Sequence, residues 1–234
     1  MLLIGATDTP CEEAEPLPVA DPAEVTQLLR RFANVLPREH LLPGRVVHTC
    51  VGLRALPLGC VATARASRRH VVAVGSGGMV SIAGGKLTTH RLIAMDALRH
   101  LPVEVRPRRR RPRTEPLGRT VPSKAEELLR SRLDPDVATH LIHLYGEEAL
   151  RVARYGDEAS DALERIDPHG PDIWAQVDFA RDEESALTVD DVLSRRTTLA
   201  VRGLASGQVS EAVRHRLGAR SLADTPSSER TTLG

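Results

Sequence analysis

Long apolar runs, close cysteine pairs and aromatic side chains are all scarce in this 234-residue sequence, and each scarcity excludes something. No window approaches the ~18 uninterrupted apolar residues of a membrane-spanning helix, and the opening Met-Leu-Leu-Ile is no secretory leader. The three cysteines, Cys11, Cys50 and Cys60, include no close pair, which excludes a CxxC zinc or redox site and a disulfide scaffold. On these grounds the chain reads as cytoplasmic. Five aromatics (Phe32, Tyr145, Tyr155, Trp174, Phe179) are too few for a module that stacks unpaired bases, so nucleic acid is not an expected partner. No GxGxxG opens a βαβ unit anywhere in the chain.

What is present is an ordinary globular composition, 41% apolar and 27% charged. At this length a chain buries roughly 70% of the surface its unfolded form exposes. The net charge of +1 conceals an uneven distribution. Between Arg106 and Arg113 six of eight residues are arginine, which leaves 26 basic against 31 acidic residues elsewhere. Pro107 and Pro112 forbid a continuous helix through that run, and it reads as a solvated linker. A polyanion contact through it is the competing reading.

Up to residue 104 strand and helix signals mix. Leu2-Leu3-Ile4 before Gly5 predicts a short buried strand that starts without a partner strand ahead of it. Asp21-Pro22-Ala23-Glu24 supplies an N-cap, a proline at N1 and an acidic N3, and Val25, Leu28, Leu29, Phe32 and Leu36 follow at helical spacing. Arg45 to Gly52 is β-branched and predicts a strand. His70–Val74 and Met79–Ala83 predict two more, joined by Gly75-Ser76-Gly77-Gly78 as a hairpin turn. Leu87 to His100 has a helical pattern with Leu92, Met95 and Leu98 inward. After the arginine run the pattern is helical throughout. Ser123 to Glu126 reads as a capping box, Asp134-Pro135 starts a helix that stops near Gly146, and Glu147 to Tyr155 forms another. A longer helix from about Asp172 turns Trp174, Val177 and Ala180 to one face, and Thr188 to Asp191 caps a further one. The stretch from Asp224 to Gly234 is polar and reads as a frayed tail.

The stretch richest in chemistry is Ser81-Ile-Ala-Gly84-Gly85-Lys86-Leu87-Thr88-Thr89-His90. A strand ends in two glycines, and a lysine and two threonines then open a helix. Glycines admit a ligand close to the backbone, and helix-start N–H groups with a lysine favour an electron-rich group or a phosphate. A plain tight turn is the alternative. Arg54, just past a predicted strand end, and Arg68, entering the next strand, have the permanently charged fork that phosphate recognition uses. Singly, each reads more readily as a surface or ion-paired arginine. His140 and His143 share a helix face but lack acidic or cysteine co-ligands, so no metal is expected. Cys50 and Cys60 lack a partnered base.

In order, Ile4-Gly-Ala-Thr-Asp8, Val51-Gly-Leu-Arg-Ala-Leu-Pro57, Ser67-Arg-Arg-His-Val-Val72 and Ala83-Gly-Gly-Lys-Leu-Thr-Thr-His-Arg91 resemble FAD-dependent glycerol-3-phosphate dehydrogenase, the aerobic, quinone-linked type. Asp172-Ile-Trp-Ala-Gln-Val177 and Asp191-Val-Leu-Ser-Arg-Arg-Thr197 are similar to that family's C-terminal domain, so the likeness covers roughly residues 2–203. The resemblance implies an α+β chain: a truncated β-rich flavin and substrate region (1–104) with antiparallel strands plus helices, an Arg/Pro linker (105–122), an all-α C-terminal domain (123–203), then a helix and tail (204–234). It implies FAD as cofactor, glycerol 3-phosphate as substrate and quinone as electron acceptor, and leaves open a homodimer and a peripheral contact at the inner face of the cell membrane. By the same likeness Arg54 and Lys86 are the catalytic residues, Arg54, Arg68 and Lys86 bind substrate, and Gly84, Gly85, Lys86, Leu87 and Thr88 contact the flavin. The family's glycine-rich unit for the ADP half of FAD precedes these motifs and has no counterpart here, so the expectation is a piece inactive alone, with Met1 a truncated or misassigned start. A non-enzymatic interaction module built on the helical domain is the alternative.

Overall fold

A computed structural model describes residues 2–10, 18–53, 69–106 and 121–221, with side chains to residue 218. The predicted positions Arg54 and Arg68, and all of the arginine run after Arg106, lie outside these residues. The chain divides into two units, one of residues 2–45 and 50–115, the other of residues 46–49 and 116–234. Among the described residues the architecture is α+β, one two-stranded antiparallel sheet together with helices.

In the first unit, helix α1 (Pro22–Phe32) starts where its cap dictates. The Asp21 carboxylate accepts the Ala23 N–H at 2.8 Å, and Pro22 occupies the first turn, where no N–H is needed. Val25, Leu28, Leu29 and Phe32 are half-buried along one side, as their spacing predicts. Strands β1 (His70–Val74) and β2 (Val80–Gly84) pair antiparallel with His70 opposite Gly84 and Val74 opposite Val80. Their turn closes through Gly75 N–H to Met79 C=O at 2.9 Å, with Gly78 at φ +77°. A 3₁₀ turn (Leu87–Thr89) leads into α2 (His90–Arg99). His70 Nε2 meets Asp96 Oδ2 at 3.0 Å and fastens α2 to β1.

Four local predictions fail here and in the next unit. Leu2-Leu3-Ile4 forms no strand, and Leu3 is 85% exposed. Arg45 to Gly52 forms none either: Pro43–Arg45 is a 3₁₀ turn, and residues 46–53 have no ladder. Both segments have strand propensity without a neighbouring strand, and propensity alone supplies no hydrogen-bond partners. On α2 it is Ile93, not Leu92, that turns inward beside Met95 and Leu98. The capping box at Ser123 is absent, because Pro122 takes the cap position and Ser123 is already helical.

The second unit holds the core. Helices α3 (Ser123–Arg132), α4 (Pro135–Tyr145), α5 (Ala149–Arg154) and α6 (Trp174–Glu184) enclose Leu129, Val137, Leu141, Val152 and Phe179. A second cluster packs Val177 and Ala180 of α6 against Val192, Leu199, Val209 and Val213, the last two from α7 (Gly207–Ser221). Helix α6 thus serves two cores and is buried along Ala175–Ala180. One face was legible from Trp174, Val177 and Ala180. The other, with Phe179 edge-on to Tyr145 at 5.7 Å, was not. Asp178, buried in this helix, is bonded by Arg181 at 3.0 Å and Arg216 at 2.6 Å, which ties α6 to α7. Thr188 and Asp191 cap each other as predicted, through Thr188 Oγ1 to Asp191 Oδ2 at 2.8 Å and Asp191 N–H to Thr188 Oγ1 at 3.1 Å. The helix they open (Asp191–Arg196) is a single π-turn.

Candidate functional site

The glycine-lysine loop stands on the hairpin and α2. Gly84 and Gly85 both have left-handed backbones, φ +71° and +89°, a conformation other residues rarely adopt. Gly85 is doubly constrained. A Cβ there would lie 2.5 Å from Ile93 Cδ1 and 3.2 Å from His70 Cβ, so glycine is what lets α2 close onto β1. The next residues turn outward. Lys86 is extended, its carbonyl accepting Thr89 N–H at 2.9 Å and Thr89 Oγ1 at 3.0 Å. Leu87 is 88% exposed, and its carbonyl receives His90 Nδ1 at 2.7 Å. Thr88 is exposed. Among the described residues the Lys86 ammonium has no partner. The five predicted loop residues, Gly84 to Thr88, are therefore together on one turn, with the Lys86 side chain exposed.

In the helical unit the geometry centres on Asp172, which the sequence marked only as part of a motif. It has no exposed surface. Its Oδ1 meets His140 Nε2 at 3.0 Å and accepts the Thr198 N–H at 3.0 Å, while its Oδ2 accepts Thr198 Oγ1–H at 2.6 Å. Gln176 Nε2 adds a donor at 3.3 Å, and the same amide's oxygen accepts Ile173 N–H at 2.9 Å. Burial alone would push this carboxyl up. The bonds from His140 and Thr198 outweigh it and leave the group below its ordinary 3.8. His140 is thus committed to Asp172, while His143, one turn along, is exposed. Cys50 is an exposed free thiol.

Arg106, the first arginine of the basic run, bonds Leu101 C=O through Nε at 3.2 Å and a terminal nitrogen at 2.8 Å. No helix among the described residues is long and apolar enough to cross a membrane.

Residues 103–220 match the profile described as the C-terminal domain of alpha-glycerophosphate oxidase. The chain is 30% identical over 234 residues to the glycerol-3-phosphate dehydrogenase of Mycobacterium leprae (strain TN), a match that takes in 92% of this chain and 39% of that protein. It is 30% identical to the Synechocystis enzyme of the same name (85% of this chain, 38% of that one). The mitochondrial glycerol-3-phosphate dehydrogenase of Homo sapiens is also 30% identical (86% and 29%). The chain spans less than two fifths of the length of these relatives.

Proposed function

This chain belongs to the family of the C-terminal domain of alpha-glycerophosphate oxidase, and from that premise we propose that it is the substrate-side and C-terminal part of an FAD-dependent glycerol-3-phosphate dehydrogenase. The reaction is oxidation of sn-glycerol 3-phosphate to dihydroxyacetone phosphate, with the electrons passed on to a quinone. The finer division goes with the proposal: a flavin and substrate region to residue 104, a linker to 122, the helical domain to 203, then a helix and tail.

The observation that carries the reading is the exposed turn of Gly84 to Thr88, whose lysine has no partner among the described residues. Two left-handed glycines and an extended residue leave the peptide backbone approachable, and Leu87 offers an apolar surface for a flat ring. These residues fit the edge of a flavin, and Gly84, Gly85, Lys86, Leu87 and Thr88 would hold it there. When bound, the flavin supplies the acceptor for the hydride that leaves substrate C2. The chain's own residues do the rest. Arg54 and Arg68 bind the dianionic phosphate, which fixes the other end of a three-carbon substrate. Lys86 stabilises the negative charge that builds on the C2 oxygen as its hydroxyl proton passes to solvent.

The test is steady-state kinetics of Arg54→Ala in a chimera joining this chain to the part of the Mycobacterium leprae relative that lies outside the match. A charge-assisted contact contributes about 1.5–3 kcal/mol, so kcat/KM for glycerol 3-phosphate falls roughly 10- to 150-fold. Arg54→Lys recovers only part, because a point charge lacks the guanidinium fork. Activity on glycerol, which has no phosphate, stays the same. An equal proportional loss on both substrates would refute the role of Arg54.

A further inference from the structure

We propose that an open cleft in the helical unit, between α4 and the 198–202 turn, is a second anion site, built for a small phosphate monoester. The cleft holds about 420 Å³, within the usual range for small-molecule sites. Helix α4 contributes Asp136, Thr139, His140 and His143 to its wall, and His169 and Arg202 complete the polar lining. The four α4 residues fall at i, i+3, i+4 and i+7, so they form a single polar stripe on a helix whose other side is core.

The lining holds one arginine and one carboxylate, and only the arginine has hydrogen-bonding capacity to spare. Arg202 Nε donates to Thr198 Oγ1 at 2.8 Å, and among the described residues its terminal nitrogens have no partner. That bond anchors the guanidinium while leaving its fork free for a ligand. The one carboxylate in the lining, Asp136, is already engaged. Arg165 grips both its oxygens, at 2.9 and 2.7 Å, and reaches Asp134 with the same guanidinium. His143 has no partner among the described residues, and His169 Nδ1 lies 3.1 Å from Asp167.

The walls are also held from beneath. Arg202 bonds Thr198, Thr198 donates to Asp172 Oδ2, and Asp172 Oδ1 meets His140. Asp172 is fully buried, so one carboxylate fixes both sides of the cleft. Two walls pinned through a buried, satisfied acid are a preorganised site, where binding costs less ordering. Neither Lys86 nor any other residue assigned to the oxidation lies here.

The experiment is a titration of the full 234-residue chain followed by the histidine ring and Arg202 side-chain NMR signals. The probes are inorganic phosphate and methyl phosphate, with chloride at matched ionic strength as control. The expected result is saturable shifts at His140, His143 and His169, absent with chloride. Arg202→Gln weakens binding about 10-fold or more with its melting temperature kept, and Arg202→Lys retains part of the affinity. If Arg202→Gln does not fold, His143→Gln serves for the same comparison. Linear, unsaturating shifts, or equal affinity in wild type and Arg202→Gln, would overturn the proposal. Vesicles containing phosphatidic acid separate the sources: Arg202-dependent co-sedimentation assigns the phosphate to a lipid headgroup, and its absence alongside saturable methyl phosphate binding assigns it to a free ligand.

Discussion

Asp172 stays charged in a place where most carboxylates would not. Burial raises the free energy of its ionised form, and four hydrogen-bond donors from His140, Thr198 and Gln176 more than offset that cost. The sign of the pH effect follows. Its folded pKa lies below the unfolded value of about 3.9, so the unfolded chain binds the proton more readily. The stabilisation is complete above about pH 5 and is lost as pH falls through the unfolded and then the folded value. Urea unfolding between about pH 2.5 and 6 should show wild-type stability dropping towards the acid end, and Asp172→Asn should flatten that slope. Asp172→Ala leaves buried donors and a histidine without an acceptor, and should cost about 3–5 kcal/mol at neutral pH. At Gly85 the constraint is the backbone itself. Gly85→Ala puts a Cβ on a φ of +89° and against Ile93, at a cost of about 1–3 kcal/mol in the same assay. Ile93→Ala in addition should relieve the contact and leave the backbone penalty.

Elements differ in what holds them. The β1–β2 hairpin has exposed Val71, Val74 and Ile82, and none of the fully buried apolar side chains falls among the described residues of the first unit. A two-stranded ribbon with so little cover is marginal. Helix α6, buried along Ala175–Ala180 between two clusters, is the opposite case. Native-state hydrogen exchange should therefore show amides of residues 70–84 losing protection well before those of 175–180. Equal protection would mean that the hairpin has cover beyond the contacts described. The same contrast explains what could be read in advance. The α1 start and the hairpin turn were legible because Asp21-Pro22 and Gly75 to Gly78 act within a few residues. Leu2 to Ile4 and Arg45 to Gly52 form no strand despite their pattern, because a strand exists only with a partner and local apolar pattern does not reveal one. The second face of α6 was hidden because apolar residues on both sides leave no periodic contrast. The Asp172 network was hidden by distance along the chain, since His140 and Thr198 lie 32 and 26 residues away.

At the scale of the molecule there are two units, one with the hairpin and the turn from Gly84 to Thr88, the other helical and holding the core, most of it within the family match. The GxGxxG that would cradle the ADP half of FAD does not occur in these 234 residues, so the chain alone should purify with far less than one flavin per polypeptide. A visible flavin spectrum near unit occupancy would contradict that expectation. Whether this chain completes a glycerol 3-phosphate-oxidising site, as proposed, is decided in the chimera with the remaining part of the Mycobacterium leprae relative. The measurement is anaerobic bleaching of the bound flavin by glycerol 3-phosphate, with and without Lys86→Ala. Rapid bleaching is expected in the chimera, with slowing by about 10-fold or more in Lys86→Ala at unchanged flavin content. A chimera that holds flavin yet does not bleach, or bleaches equally fast without Lys86, would contradict the proposal.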